Sequence, residues 1–119
     1  MMVRFLGSLL LACILGFGSA FAHSAKEATV PEDGASLDAA PSEVMIQFDE
    51  PATLTRIELT YSHEGETQET RLTPPGEAMD MTHLDAPDLG PGLYTLEWRA
   101  MSADGHAVNG SFSFTVTGN

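Results

Sequence analysis

Apolar and polar residues alternate with a period of two through four segments of this chain, which leaves little room for a helical fold. Val44, Ile46 and Phe48 alternate with Met45, Gln47 and Asp49, and Ile57, Leu59 and Tyr61 alternate with Glu58 and Thr60. Tyr94, Leu96, Trp98 and Ala100 alternate with Thr95, Glu97 and Arg99, and Phe112, Phe114 and Val116 alternate with Ser111, Ser113 and Thr115. Successive side chains of a strand point to opposite faces, so each set reads as a strand with one buried face. Weaker strands are expected over residues 67–72 and 78–84. Turn residues punctuate them at His63-Glu64-Gly65, Pro74-Pro75-Gly76 and Gly90-Pro91-Gly92. Residues 26–43, rich in Pro, Gly, Ala, Ser and acid, read as an extended or looped lead into the domain. Short strands spaced by turns predict an all-β sandwich with Trp98 near the centre of its core.

The first 22 residues have a different purpose. Arg4 provides a positive start, Phe5 to Phe17 is apolar apart from Gly7, Ser8 and Gly16, and Ala20-Phe21-Ala22 is a small-x-small cleavage signal. That pattern is a secretory signal peptide, and its apolar run is shorter than the ~20 residues a membrane-spanning helix needs. Leu10-Leu11-Ala12-Cys13 is loosely similar to a lipoprotein cleavage box. A cut there would leave Ile14, Leu15 and Phe17 on the mature chain, where lipoproteins turn polar. Cleavage after Ala22 is therefore expected, leaving a domain over residues 23–119 that begins at His23.

Cys13, the only cysteine, departs with the signal. The mature domain then has no disulfide, no thiolate ligand and no cysteine nucleophile. Four basic residues (Lys26, Arg56, Arg71, Arg99) face 17 acidic ones, a formal charge of −13. Such a charge argues against nucleic acid and anionic membrane surfaces as partners and gives a weak general attraction for cations.

Three features carry possible metal chemistry. A free N-terminal His23 chelates through its α-amine and ring Nδ1, and such nitrogens suit Cu(II). In Ser102-Ala103-Asp104-Gly105-His106, a carboxylate and an imidazole two residues apart flank a glycine that permits a tight turn. In Phe48-Asp49-Glu50-Pro51, at the end of the first strong strand, Glu50 is placed to steady a ligand through a hydrogen bond. Each has an ordinary alternative. A His beside a cleavage site often has no role, Asp-Gly is a common turn pair, and a carboxylate before proline is usually solvated.

Taken together, the three features resemble the CopC family of bacterial periplasmic copper-binding proteins. The resemblance rests on His23 at the cleavage point, Phe48-x-Glu50-Pro51, and the block from Trp98-Arg99 through Ser102-Ala103-Asp104-Gly105-His106 to Gly110-x-Phe112-x-Phe114. Pro31-x2-Gly34 and Pro91-Gly92-x-Tyr94 also fit. It implies a Greek-key, immunoglobulin/cupredoxin-like β-sandwich of about seven strands. It also implies one Cu(II) ion held by His23, Asp104 and His106, with Glu50 as an outer partner near the N-terminal amine. The implied role is a non-enzymatic copper carrier or buffer in copper homeostasis or resistance, linked in the family to an inner-membrane transporter of the CopD type. Two other classes compete. A copper mono-oxygenase also uses an N-terminal histidine site, and a metal-free sandwich can be an interaction module. Some family members carry a Met-rich Cu(I) site near the middle of the domain. The corresponding stretch here, Ser62 to Thr73, has no Met. Met79, Met81 and His83 do share one face of a predicted strand, a pattern more often explained by core packing than by Cu(I). His63 reads as an exposed turn histidine.

Overall fold

The alternation resolves into seven strands in the computed structural model, which describes residues 27–118. They are β1 (Glu27–Val30), β2 (Ala35–Leu37), β3 (Glu43–His63), β4 (Glu66–Leu72), β5 (Ala78–Asp85), β6 (Gly92–Ser102) and β7 (Ala107–Val116). There is no helix among the described residues. The two weaker strands expected from sequence are present as β4 and β5. The lead into the domain is extended in part: Glu27–Val30 forms β1, antiparallel to β3, and Ala35–Leu37 forms β2, parallel to β7.

The main departure is the length of β3. Two strands with Phe48-Asp49-Glu50-Pro51 closing the first were expected; a single run of 21 residues passes straight through that segment. Its first part pairs with β1 on one side and β5 on the other, and its second part pairs with β4 and β6. Two irregularities make the exchange of partners feasible. Register shifts between Gln47 and Ala52 against β5, and between Leu54 and Arg56 against β6. The second inserts one extra residue, Thr55, and an extra residue in a strand flips which side chains face inward. Burial follows that flip. Val44, Ile46, Phe48, Ala52 and Leu54 are buried at even positions, and Ile57 and Leu59 at odd ones. Pro51, which lacks an N–H, sits where the β3 ladder is broken.

One apolar cluster joins both parts of β3 to β5, β6 and β7. Trp98 is 2% exposed within it, as the sequence predicted, and Phe48 meets its ring edge-on with centroids 5.1 Å apart. Tyr94 stacks on Phe114, and its hydroxyl stays satisfied although buried. It donates to the Gly90 carbonyl (2.7 Å) and accepts from the Leu89 N–H (3.0 Å). On the surface, Glu58 accepts from both Arg56 and Arg71.

Gly110 explains part of the sequence block. A Cβ there would lie 2.4 Å from Trp98 Cζ2 and 2.7 Å from Glu27 Oε1. Glycine is what lets β7 pass over the indole.

Candidate metal centre

The β6–β7 hairpin turns at Ala103 to His106, with Met101 and Ala107 as its last register pair. Gly105 adopts φ +86°, a left-handed conformation that glycine takes without the Cβ penalty. The turn is closed by the Gly105 N–H donating to the Ser102 carbonyl (3.0 Å) and the Ser102 N–H donating to the His106 carbonyl (2.8 Å).

Within this frame Ser102 organises the two candidate side chains, Asp104 and His106. Its hydroxyl donates to Asp104 Oδ1 and accepts from the His106 N–H at 3.2 Å. The His106 carbonyl also lies 3.0 Å from Ser102 Oγ. A hydroxyl has one hydrogen, and the charged carboxylate is the stronger acceptor for it. Asp104 Oδ1 also accepts from the His106 N–H (3.3 Å), and Asp104 Oδ2 lies 2.8 Å from His106 Nδ1. These bonds favour the ionised carboxylate. The Ser102 hydroxyl foremost, then the His106 ring and backbone N–H, hold the Asp104 pKa down at about 2. With Nδ1 engaged by Asp104, Nε2 is left as the acceptor nitrogen of the ring. Both side chains are open to solvent, 68% exposed for Asp104 and 79% for His106. The loop thus presents an ionised carboxylate and an oriented imidazole to an incoming cation.

Among the described residues, no group of three or more His, Cys, Asp or Glu side chains converges on one point. Asp104 and His106 are brought together as expected. His23 lies outside the described residues. Glu50 is exposed on β3, two residues before Ala52, and Ala52 is the register partner of Ser102. It therefore sits at the same end of the fold as the hairpin. β1 starts there too, with Glu27 opposite Phe48. Glu27 is packed near Trp98 and Gly110, and burial pushes its carboxyl pKa up. Trp98 Nε1, buried at this place, has no hydrogen-bond partner among the described residues.

Ser102 is the residue of the candidate site that sequence reasoning passed over. A hydroxyl two residues before the aspartate and four before the histidine was a legible signal for a side-chain-tied turn. His63 is exposed as expected, stacked on Tyr61 and 3.5 Å from Glu64. Met81 is not the core residue its alternation suggested. It is 39% exposed, while Thr82 and Leu84 fill the interior.

The fold and hairpin define a small all-β domain with a metal-competent carboxylate–imidazole pair on a surface turn. Residues 26–117 match the CopC domain family, and the chain belongs to that family. It is 28% identical over 107 residues to copper resistance protein C of Escherichia coli, covering 82% of this chain and 84% of that protein. It is 29% identical over 102 residues to the copper transport protein CutJ of Bacillus subtilis, covering 82% of this chain and 19% of CutJ. The crystal structure of CopC from Methylosinus trichosporium OB3b superposes with a TM-score of 0.59 at 26% identity. That match covers 76% of this chain and 90% of the other. The fold is accordingly the CopC-like, cupredoxin-like β fold.

Proposed function

We propose that this protein is a periplasmic Cu(II) carrier or buffer for copper homeostasis or resistance. In this reading the signal peptide of residues 1–22 is removed, and one ion is held by the His23 amine and Nδ1, a nitrogen of His106 and an oxygen of Asp104. The observation that carries the reading is the hairpin: Ser102 holds Asp104 ionised and His106 oriented at an exposed position. Nitrogen and carboxylate donors suit Cu(II), whereas the loop offers no thiolate or thioether to favour Cu(I). Reach is compatible. Three residues lie between His23 and Glu27, four Cα steps that span up to about 14 Å when extended, and Glu27 starts β1 opposite Phe48, close to Glu50. Glu50 is assigned as an outer partner of the amine. Hand-off to an inner-membrane transporter of the CopD type fits the match to a segment of a longer copper transport protein.

The test compares a protein beginning at His23 with one carrying a single Gly before it. Both are titrated with Cu(II) against a competing chelator. Tight binding by the His23-start protein alone supports the amine as a ligand; equal binding by both overturns the ligand set. Peroxide-driven oxidation of a polysaccharide by the copper-loaded protein would replace the carrier role with a mono-oxygenase one. Failure to bind any divalent metal would leave an interaction module.

A further inference from the structure

The outer face of β4, β3, β6 and β7 carries a charge pattern that copper binding leaves unexplained. In a chain with 17 acidic residues, all three arginines among the described residues stand on this one face. Register sets them in two neighbouring rows across the strands. One row is Arg56, Arg99 and Asn109, and the next is Arg71, Glu58, Glu97 and Ser111. Both rows point away from the core, because Ile57 and Trp98 between them are buried. Short hydroxyl side chains continue the face: Ser62 lies 3.4 Å from Thr67, and Thr95 3.0 Å from Ser113. Leu93 and Met101, toward the two ends of β6, are 44% and 42% exposed there.

Each row sets like charges directly opposite one another, Arg56 against Arg99 and Glu58 against Glu97, an arrangement that destabilises an isolated sheet. Glu58 is engaged by Arg56 and Arg71. Among the described residues, neither Arg99 nor Glu97 has an ion-pair partner. A cation and an anion thus stand unengaged at alternate positions of β6, about 7 Å apart.

The pattern is self-complementary. A two-fold axis in the plane of the face, running across the strands between the two rows, lays each row over the opposite row of a second copy. Arg99 of each copy then meets Glu97 of the other, and Arg56 meets Glu58. Such an isologous contact closes at two copies. The short hydroxyls around the rows let the two sheets approach to the ~10 Å of packed sheets. The other described surfaces carry no arginine to offset their acids, so this is the face on which two such acidic chains can meet. Four strands about 4.8 Å apart, with outer positions spread along about 30 Å, make a face of roughly 600 Å². Two copies bury about 1,200 Å², the lower limit for a specific interface.

We propose that this face is a self-association surface, and that the exported protein forms a weak, salt-sensitive two-fold dimer through reciprocal Arg99–Glu97 and Arg56–Glu58 contacts. The two Ala103–His106 turns leave that interface toward opposite ends of the pair, so both stay open to a cation. The dimer uses none of the residues assigned to Cu(II) and stands or falls apart from them.

Sedimentation equilibrium of the metal-free exported protein is the test, run with a chelator so that no ion bridges two copies. At low salt and high protein concentration a monomer–dimer equilibrium is expected, weakening as salt is added. Arg99→Glu and Glu97→Arg, both at exposed positions, should each weaken the dimer at least about tenfold, because the symmetry turns two attractive contacts repulsive. Mixed one to one, the two variants should associate as the parent does: the two introduced side chains meet each other, and so do the two native ones. General charge repulsion predicts the opposite for Glu97→Arg, which makes the chain less acidic and would then tighten the dimer. That tightening, a dimer that neither variant weakens, or a mixture that stays monomeric would overturn the proposal. So would a parent that stays monomeric at millimolar concentration, which would leave the face to a separate acidic partner.

Discussion

Gly110→Ala should destabilise the fold well beyond the small cost of an ordinary glycine replacement, and the reason is local. The new methyl would lie 2.4 Å from Trp98 Cζ2 and 2.7 Å from Trp98 Cε2. Carbon atoms in good contact sit about 3.5–4.0 Å apart, so a gap of roughly 1 Å must open. Glu27 Oε1, at 2.7 Å, is the end of a flexible side chain and can swing aside. The indole cannot: it is 2% exposed and pinned edge-on by Phe48. Overpacking of this kind costs about 1–3 kcal/mol. For a domain of this size each kcal/mol lowers Tm by about 4–8 °C.

Thermal unfolding followed by circular dichroism measures the loss. Near-UV dichroism and emission of Trp98, the single tryptophan, show whether the indole has moved. Gly105→Ala is the matched comparison: a Cβ there meets nothing within 4 Å, and only the φ of +86° resists it. That backbone strain is about 1–2 kcal/mol and should leave the Trp98 signal intact. If Gly110→Ala melted within about 2 °C of the parent with an unchanged Trp98 spectrum, the contact between β7 and the indole would not constrain this position.

Other expectations concern the hairpin and the buried tyrosine. Ser102→Ala removes the leading cause of the low Asp104 pKa, so the carboxyl should titrate above about 2, moved toward its ordinary 3.8, in a carbon-detected NMR titration. Since the folded value is depressed, the stability Asp104 contributes is present above pH 3.8 and is lost as pH falls through about 2; the variant narrows that window. Cu(II) affinity should fall by at least about a hundredfold between pH 8 and pH 5, from protons competing for the amine and imidazoles. Asp104 stays ionised across that range and adds nothing to the slope. Tyr94→Phe leaves the half-buried Gly90 carbonyl and Leu89 N–H without their hydroxyl partner and should cost about 1 kcal/mol in denaturant unfolding.

The fold was legible where one physical signal dominated. Strict alternation marked β6 and β7, because β6 buries one face from Tyr94 to Ala100 and β7 from Phe112 to Val116. It misled at β3. The run from Asp49 to Pro51 carries two acids and a proline, so the pattern lapses although the chain continues, and pairing with β5 and β6 there is long-range. β1 and β2 were hidden for the same reason. Strands of four and three residues on the rim of a sheet bury too little to leave a period, and pairing to β3 and β7 alone defines them. At the site, Asp104 and His106 were visible as residues, but their coupling through Ser102 needed the turn geometry. β5 shows the opposite failure. Alternation placed Met79, Met81 and His83 on one side of a strand but did not say which side was the core.

The passage of β3 past two sets of partners also bears on function. Its interruption at residues 48–51 brings three things to one end of the molecule: the start of β1, the Glu50 carboxylate, and Ala52 in register with Ser102. A tight loop on a rigid hairpin and a chain segment leaving the adjacent strand can then close on a cation from two directions. In the proposed ligand set both halves contribute, and the described residues alone offer no three-ligand cluster. An ion bound in this way ties the segment before β1 to the β6–β7 turn, elements separated along the chain by most of the domain. Anything that binds only the native arrangement stabilises it by mass action. Cu(II) should therefore raise the melting temperature of the His23-start protein and leave that of the Gly-extended protein nearly unchanged. An equal rise in both would mean that the hairpin captures copper without the N-terminal segment.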